Sequence, residues 1–302
     1  MSVTNDLGVS RAGSASLPLK EKIKARVPRA LLILYRLFRT GDLLSVCSFL
    51  WAKVPCAKFL ERWRIVKQLY RITYNVPCGH VQSEMIAPIK AMLALPAERQ
   101  GVVVEAGCFK GGGTAKLSVA VRCAGRELVV FDSFEGIPDN AEPHEKNIWG
   151  GRVRFLKGDY CGALEEVTSN VRRYGDPSVC RFVKGLFHDT MPHFSQPVII
   201  AYLDVDLASS TRTCLKHLWP LLVPGGILFS QDGHLPLVLK VFDDDDFWKR
   251  ELKTSKPRIH GFGTSELIWC RKEFDQGSHA GCQPAVTPKI PVNKEGRKES
   301  SD

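Results

Sequence analysis

Several common sequence signatures are absent from this chain, and each absence removes a class of protein. None of the 10 cysteines lies in a C-x-x-C pair or a regular disulfide framework, and no zinc-ligand spacing is present. The apolar runs 30–38 and 43–51 are too short to span a bilayer. The first 25 residues lack a secretory signal, because Asp6 and other polar residues occupy them. We therefore expect reduced cysteines and a cytoplasmic protein, with peripheral attachment to a membrane left open.

Two nucleotide-binding patterns are also missing from the glycine-rich stretch 101–114. G-x-x-x-x-G-K-[ST] is absent, so a loop that cradles nucleotide phosphates is not expected. G-x-G-x-x-G is absent too, because Phe109 stands where its second glycine belongs. The stretch instead contains E-x-G-x-x-x-G, formed by Glu105, Gly107 and Gly111 after three valines. This spacing is typical of the first loop of S-adenosylmethionine-dependent methyltransferases, although a generic tight turn between a strand and a helix also fits it.

Short apolar runs alternate with helical segments from residue 102 to residue 272. Runs at 102–104, 127–131, 179–184, 198–203, 227–230 and 267–270 predict strands, and 113–122, 164–174 and 209–222 predict helices. A helix carrying the acidic run 243–246 is predicted before the last strand. Such alternation predicts an α/β fold with a doubly wound, mostly parallel sheet. The loop 133–160 is long for a compact domain and is expected to bind or cover a ligand.

The basic residues are concentrated in the N-terminal third. The first 100 residues carry 16 Lys and Arg against 6 Asp and Glu, which accounts for the whole net charge of +10. The segment 57–72 has apolar residues at helical spacing and many cations, which fits a helix packed on the core or a helix on an anionic membrane. We predict a disordered N-terminus at 1–19, a basic helical extension or lid at 20–75, the methyltransferase domain at 76–274 and a disordered tail at 275–302.

Four of the first five predicted strands end in or close to an acidic residue: Glu105, Asp132, Asp204 and Asp232. The carboxyl ends of parallel strands meet at one edge of the sheet, where ligands bind. Asp132 is placed to accept hydrogen bonds from ribose hydroxyls, and Glu105 to order the loop or receive an amino group. Asp204, Asp206 and Asp232 offer the hard oxygen ligands that Mg²⁺ prefers. Alternatively, each acid is a loop residue or a helix cap.

Five segments resemble the macrocin O-methyltransferase family, class I S-adenosylmethionine-dependent enzymes that methylate sugar hydroxyls of natural products. They are 104–112, 131–138, 181–192, 203–211 and 223–226, and the resemblance covers roughly residues 75–272. The most specific are D-S-F-E-G at 132–136 and D-x-D-L-x-x-S-T at 204–211. The resemblance implies a seven-stranded Rossmann-like sheet and S-adenosyl-L-methionine as cofactor. The cofactor contacts that it implies are Glu105, Gly107, Gly111, Asp132, Ser133, Gly185, Leu186, Phe187 and Ser83.

The resemblance also implies a magnesium site and residues for the chemistry. Related enzymes bind Mg²⁺ through an acid after the fourth strand and two ligands after the fifth, which correspond here to Asp204, Gln231 and Asp232. Gln231 replaces an expected carboxylate, and Asp206 is positioned to compensate. Asp204 is expected near the reactive methyl group. His234 is the candidate general base for the acceptor hydroxyl, although a histidine at a helix start with no chemical role also fits.

The predicted function is an S-adenosylmethionine-dependent O-methyltransferase that acts on a hydroxyl of a sugar or natural-product-like molecule, with Mg²⁺ as a second cofactor. One alternative is a membrane-associated protein with a relict methyltransferase fold, which Gln231 keeps open. The other is a nicotinamide-dependent oxidoreductase, against which Phe109 argues. His80 is a weaker candidate for the base. The expected partners are a small hydroxylated substrate, a membrane surface contacted through 20–75 and a second copy in a homo-oligomer; no nucleic-acid motif is present.

Overall fold

The computed structural model describes residues 40–96 and 98–273, in which six strands form one sheet. The strand order is β3-β2-β1-β4-β5-β6, the first five strands are parallel, and β6 pairs antiparallel with β5. The predicted doubly wound α/β fold is therefore confirmed. The strands are β1 (Val102–Ala106), β2 (Leu128–Asp132), β3 (Cys180–Lys184), β4 (Val198–Leu203), β5 (Leu222–Ser230) and β6 (Ile268–Arg271).

Helices cover both faces of the sheet. The predicted termini 1–19 and 275–302, and residues 20–39 of the predicted extension, lie outside the described residues. Two short 3₁₀ turns lie at Pro177–Val179 and Met191–His193 among the described residues, and a π-helical turn lies at Phe247–Glu251. The described α-helices are α1 (Thr40–Leu50), α2 (Phe59–Asn75), α3 (Gln82–Leu93), α4 (Gly112–Cys123), α5 (Leu164–Tyr174), α6 (Phe187–Thr190), α7 (Ala208–Leu221) and α8 (Pro236–Asp243).

The seventh strand of the expected sheet is not present in the described part of the chain. The described segment between α8 and β6 forms one antiparallel β-bridge with β6, between His260 and Trp269, and no ladder longer than that bridge. Gly261 and Gly263 follow this bridge with φ of +80° and +67°, so the chain turns away before a ladder can form. The helix predicted to carry the acidic run 243–246 is also shorter than expected: α8 ends at Asp243, the first residue of that run.

Alternate residues of the strands supply two hydrophobic layers. Val103 of β1 and Ile200 of β4 belong to the layer that holds α1 to α5. Val104 and Ala201 face the opposite layer, which holds α7 and α8. Every residue of β1 and β4 is buried, which explains why these strands are continuous apolar runs rather than alternating ones. The sheet is thus a rigid support whose strand ends position the site.

The two N-terminal helices share the first layer with the sheet. Ile65, Leu69 and Ile72 of α2 are buried in the same cluster as Val103, while the cations of α2 other than Arg62 face outward. The packed-helix alternative therefore describes α2. The boundary between residues 75 and 76 and the role of the extension as a lid stay predictions. Across the ranges that the structure describes, none of the helices combines the length and apolarity that a membrane crossing demands.

Arg62 connects α1 to α2 from a buried position. Its Nε and Nη2 donate hydrogen bonds of 3.0 and 2.9 Å to the carbonyl oxygen of Leu50, and Nη1 donates one of 2.6 Å to the carbonyl oxygen of Ala57. These bonds satisfy carbonyl groups at the end of α1 and in the connection before α2.

We expect Arg62→Met to lower the free energy of unfolding by about 1–3 kcal/mol, because two carbonyl groups lose their donors. Urea unfolding followed by circular dichroism measures the change. Arg64→Met, on the exposed side of the same helix, is the control and should stay within about 0.5 kcal/mol of the wild type. Equal effects of the two variants would show that the Arg62 bonds add no stability.

Candidate active site

Backbone hydrogen bonds join the strand ends along one rim of the sheet. The N–H of Gly107, after β1, donates to the carbonyl oxygen of Phe131 at 2.9 Å, and the N–H of Asp204, after β4, donates to that of Ala106 at 2.9 Å. Gly107 has a φ of +82°, and a Cβ there would lie 1.9 Å from the carbonyl oxygen of Asp204. Only glycine fits this position, which brings the turns after β1 and β4 into direct contact.

A cleft of about 1240 Å³ opens above this rim. It lies beyond the carboxyl ends of the strands, where ligands of doubly wound sheets bind. The loop 133–160 supplies much of its wall, from Ser133 to Tyr160. The predicted site residues that line the cleft are Gly107, Asp132, Ser133, Gly185, Leu186, Phe187, Asp204, Gln231, Asp232 and His234.

Three predicted cofactor contacts do not line the cleft. Glu105 is buried beneath it, with Oε1 2.6 Å from where a Cβ on Gly113 would be, and Oε2 has no hydrogen-bond partner among the described residues. Gly111 precedes α4 with a φ of +77° and shapes the turn. The backbone N–H of Ser83 donates to Asp42 Oδ1 at 2.9 Å, at the start of α3. Ser83 is therefore not brought together with the others.

Burial is the main influence on Glu105. It raises the pKa of this carboxyl to about 8, against the opposing effects of Thr114 and His80. A neutral Glu105 is thus favoured around neutral pH in the protein without a ligand. A cation placed above it would favour the carboxylate.

Asp132 pins two turns at once. Its Oδ2 accepts a hydrogen bond of 2.7 Å from the N–H of Cys108, and its Oδ1 accepts one of 2.7 Å from the N–H of Phe134. Each carboxylate oxygen keeps further acceptor capacity toward the cleft. Ser133 Oγ donates to the carbonyl oxygen of Gly136 at 3.0 Å and so closes the turn after β2. Asp132 therefore holds the rim in shape and presents acceptors to the cleft.

Asp204, Asp206 and Asp232 form a compact acidic cluster. One carboxylate oxygen from each lies within 4.8 Å of the others. Asp206 has a left-handed φ of +60°, and the N–H groups of Val205 and Asp206 both donate to Asp232 Oδ2, at 3.0 and 3.1 Å. Asp232 Oδ1 is buried without a partner among the described residues. Burial raises the pKa of both Asp206 and Asp232, and the charge of Asp204 raises both further.

Gln231 and His234 differ in how freely they face the cleft. The side-chain oxygen of Gln231 accepts a hydrogen bond of 3.0 Å from the hydroxyl of Tyr202, and Gln231 is buried. His234 is half-buried, and its ring stacks on Trp149 at 6.1 Å with an interplanar angle of 7°. His234 Nδ1 has no partner within the described ranges.

His80 occupies a more central place than the sequence suggested. Its Nε2 lies 2.9 Å from Asp204 Oδ2, and the ring is buried. Burial alone would lower the pKa of His80, but hydrogen bonding to Asp204, the influence of Cys78 and the Asp204 charge outweigh it and raise the pKa to about 10. The sequence signal for this contact is only the turn at 77–80, because the two partners are 124 residues apart.

Glu142 attaches the loop 133–160 to α7. Its two carboxylate oxygens accept hydrogen bonds of 2.8 Å each from the N–H groups of Ala208 and Ser209, the first two residues of α7. Burial opposes ionisation, but these bonds and that from His144 lower the pKa of Glu142. The base of the loop is closed by backbone hydrogen bonds of 2.8 and 2.9 Å that join residue 137 to residues 159 and 158.

The geometry of this rim agrees with the comparison to known families. The sequence model described as Macrocin-O-methyltransferase (TylF) matches residues 92–256. This chain belongs to the macrocin O-methyltransferase family. The family prediction is therefore confirmed, and the matched range contains all predicted site residues except Ser83 and the weaker base candidate His80.

Among individual relatives, the chain is similar to the 8-demethyl-8-(2,3-dimethoxy-alpha-L-rhamnosyl)-tetracenomycin-C 4'-O-methyltransferase of Streptomyces olivaceus. The two are 36% identical over 141 residues, which are 44% of this chain and 52% of the relative. This chain thus spans about half the length of that curated relative.

Solved structures support the fold class. The O-methyltransferase NovP has a TM-score of 0.57 at 18% identity, covering 82% of this chain and 100% of its own. The calicheamicin methyltransferase CalS11 has a TM-score of 0.50 at 18% identity, covering 92% of this chain and 100% of its own. At these identities the likeness shows the fold alone.

The buried Glu105 generates a prediction about stability and pH. Because its pKa is raised, the native state holds a proton that the unfolded state loses between pH 4.5 and about 8. Its contribution to stability therefore falls as pH rises through this window. Glu105→Gln removes the titration, so its melting temperature should exceed that of the wild type by a margin that grows toward pH 8.

Differential scanning calorimetry from pH 5 to 8.5 measures this margin, which we expect to reach several degrees. A change of 1 kcal/mol corresponds to about 2–4 °C in a domain of this size. Glu98→Gln, at an exposed carboxyl, is the control and should show no trend. A difference in melting temperature between Glu105→Gln and the wild type that stays constant with pH would contradict the raised pKa of Glu105.

Proposed function

We propose that this protein is an S-adenosylmethionine-dependent O-methyltransferase that methylates a hydroxyl group of a sugar or natural-product-like molecule. The observation that carries the proposal is the meeting of the Gly107 turn and Asp132 at an open cleft, in a chain of the macrocin O-methyltransferase family. The family assignment disfavours the nicotinamide alternative.

The residues around the β1 turn fit the cofactor. Gly107 and Gly113 line the cleft without a side chain, and Glu105 Oε2 is a buried acceptor without a donor, which the cofactor's amino group would provide. Asp132 would accept hydrogen bonds from ribose hydroxyls, and 185–187 would border the adenine. S-Adenosyl-L-methionine supplies an electrophilic methyl group when bound.

The opposite end of the cleft would hold the acceptor. His234 would take the proton from the acceptor hydroxyl, and stacking on Trp149 fixes the plane of its ring. Asp204, oriented by His80, would face the hydroxyl and align it for attack on the methyl group. The loop 133–160 would exclude water from the reacting groups and select the acceptor.

The acidic cluster fits a divalent cation. Asp232 Oδ1 is a buried acceptor without a partner, and three carboxylates at close range repel each other unless a cation joins them. Gln231 is the weaker candidate, because its oxygen already accepts a bond from Tyr202. We therefore propose Asp204, Asp206 and Asp232 as the ligands of Mg²⁺, which would lower the energy of an alkoxide.

The acceptor class follows from relatives and stays a proposal. The name of the curated relative specifies a rhamnosyl-tetracenomycin as substrate, and we extend only the class, a glycosylated small molecule, to this chain. Peripheral membrane contact, a cytoplasmic location and homo-oligomer formation stay predictions. Trp51 and Trp63, which are 74% and 53% exposed, are aromatic side chains of the extension that such a membrane contact would use.

Asp132→Asn tests the cofactor site. We expect its affinity for S-adenosylhomocysteine to fall about 10- to 100-fold in isothermal titration calorimetry, because hydrogen bonds to a charged acceptor are lost. Glu127→Gln removes a carboxylate just before β2, at the other end of that strand, and should bind as the wild type does. Binding of NAD without binding of S-adenosylhomocysteine would overturn the proposed function. Unchanged affinity in Asp132→Asn would refute the role of Asp132 in binding the ribose.

Asp232→Asn tests the cation site. MgCl₂ should raise the melting temperature of the wild type, since a ligand at a hundredfold excess over its dissociation constant contributes about 2.7 kcal/mol. Asp232→Asn should lose this shift. Gln231→Met should keep it, which separates the proposed ligand set from one that includes Gln231. No shift in the wild type up to millimolar Mg²⁺ would refute the site.

A further inference from the structure

Lys116, on the inner face of α4, is a cation with an unusual partner. Its side chain is fully buried, and its Nζ donates to Cys78 Sγ at 3.3 Å. Within residues 40–96 and 98–273 this sulfur is the only hydrogen-bond partner of Nζ. A buried ammonium without a counter-ion costs several kcal/mol. A neutral thiol compensates little of this cost, whereas a thiolate compensates most of it.

Cys78 also packs against the N-terminus of α4, a helix that follows it in the chain. It belongs to the turn between α2 and α3, and a Cβ on Gly112, the first residue of α4, would lie 2.7 Å from its Cβ and 3.4 Å from its Sγ. The free N–H groups of a helix N-terminus stabilise a nearby anion, and thiols at such positions ionise more readily. Two independent positive groups, the Lys116 ammonium and the α4 terminus, therefore favour the thiolate.

His80 is the third group beside the sulfur. Its Nδ1 is buried and has no partner at hydrogen-bond geometry in the described structure, so we assign its effect on Cys78 to charge and proximity. Asp204 and Glu105 are acidic groups near the His80 ring. Burial alone would raise the pKa of Cys78, but His80 and Lys116 together lower it to about 6.

Exposure at the cleft distinguishes Cys78 from the buried thiols of the described residues. Cys78 is half-buried and lines the cleft wall. The buried Cys108, Cys214 and Cys270 have raised pKa values because of burial. All nine described cysteines are free thiols, and Cys47 and Cys161 are exposed. Cys78 alone combines access with a buried cationic partner among them.

We propose that Cys78 is a reactive thiolate, held by Lys116, that exchanges with small disulfides of the glutathione class and thereby obstructs the cleft. The Cys78 sulfur attacks one sulfur of the disulfide, a new S–S bond forms, the old one breaks, and the second half leaves as a thiolate that solvent protonates. No further oxidant is needed. The obstruction of cofactor binding rests on the proposed function, whereas the exchange itself does not.

Alkylation by iodoacetamide, followed by peptide mass spectrometry from pH 5 to 9, tests the thiolate. At pH 6.5 we expect Cys78 to react at least tenfold faster than Cys47 in the same molecules. Lys116→Met should slow Cys78 about threefold at that pH, because a rise of one unit from a pKa of about 6 lowers the thiolate fraction about threefold. Lys110→Met, which removes a cation just before α4, should change the rate little. Equal rates at Cys78 and Cys47 in the wild type would overturn the proposal, whether or not the variants fold.

Oxidised glutathione tests the consequence. Intact mass and peptide mapping should show one glutathionyl group on Cys78, and calorimetry should show S-adenosylhomocysteine binding lost and then restored by dithiothreitol. Cys78→Ser should keep binding after the same treatment. If untreated protein binds no S-adenosylhomocysteine but Cys78 is modified, the proposed function fails and the exchange site stands. If modified protein binds as untreated protein does, the obstruction is refuted.

Discussion

The contact between Gly107 and the backbone of Asp204 determines the shape of the whole rim. Because no side chain fits between them, the turn after β1 presses against the turn after β4, and backbone hydrogen bonds carry the contact on to β2. Asp132 then ties the first two turns together from its own side chain. The shape of the cleft is thus set by main-chain contacts, which hold its acidic groups at fixed separations.

Charge is the second constraint on this rim. Glu105, Asp204, Asp206 and Asp232 gather on or beneath one surface, and burial raises the pKa of Glu105, Asp206 and Asp232. His80 offsets part of this charge through Asp204. The remaining imbalance is the property that would make binding of a cationic ligand favourable. In the same way, the excess positive charge of Lys116 and the α4 terminus is balanced at one sulfur atom.

The sheet was predictable from sequence, whereas several side-chain contacts were not. Fully buried strands such as β1 and β4 are continuous apolar runs, and parallel topology brings the strand ends to one rim. The sequence therefore predicts that Asp132, Asp204 and Asp232 lie close together, and all three line the cleft. The seventh strand is missing from the described residues because pairing with β6 ends at His260, just before Gly261 and Gly263.

Contacts between distant segments escaped prediction for a different reason. His80 and Asp204 are joined only by the way α3 packs beneath the sheet, and no spacing rule connects them. Asp206 joins Asp232 because its backbone is left-handed, which is rare for a non-glycine residue. The resemblance places Ser83 at the cofactor, but Ser83 does not line the cleft, and Asp42 of α1 binds its N–H.

The attachment of Glu142 to α7 has a consequence for how such a protein changes over evolutionary time. The base of the loop is closed at residues 137, 158 and 159, and one carboxylate fastens its middle to a helix that the sheet already supports. Residues between these anchors can be exchanged without disturbing the β1 turn. Substitutions in the loop are thereby uncoupled from the main-chain contacts that shape the rim, so the wall of the cleft can change while its floor is kept.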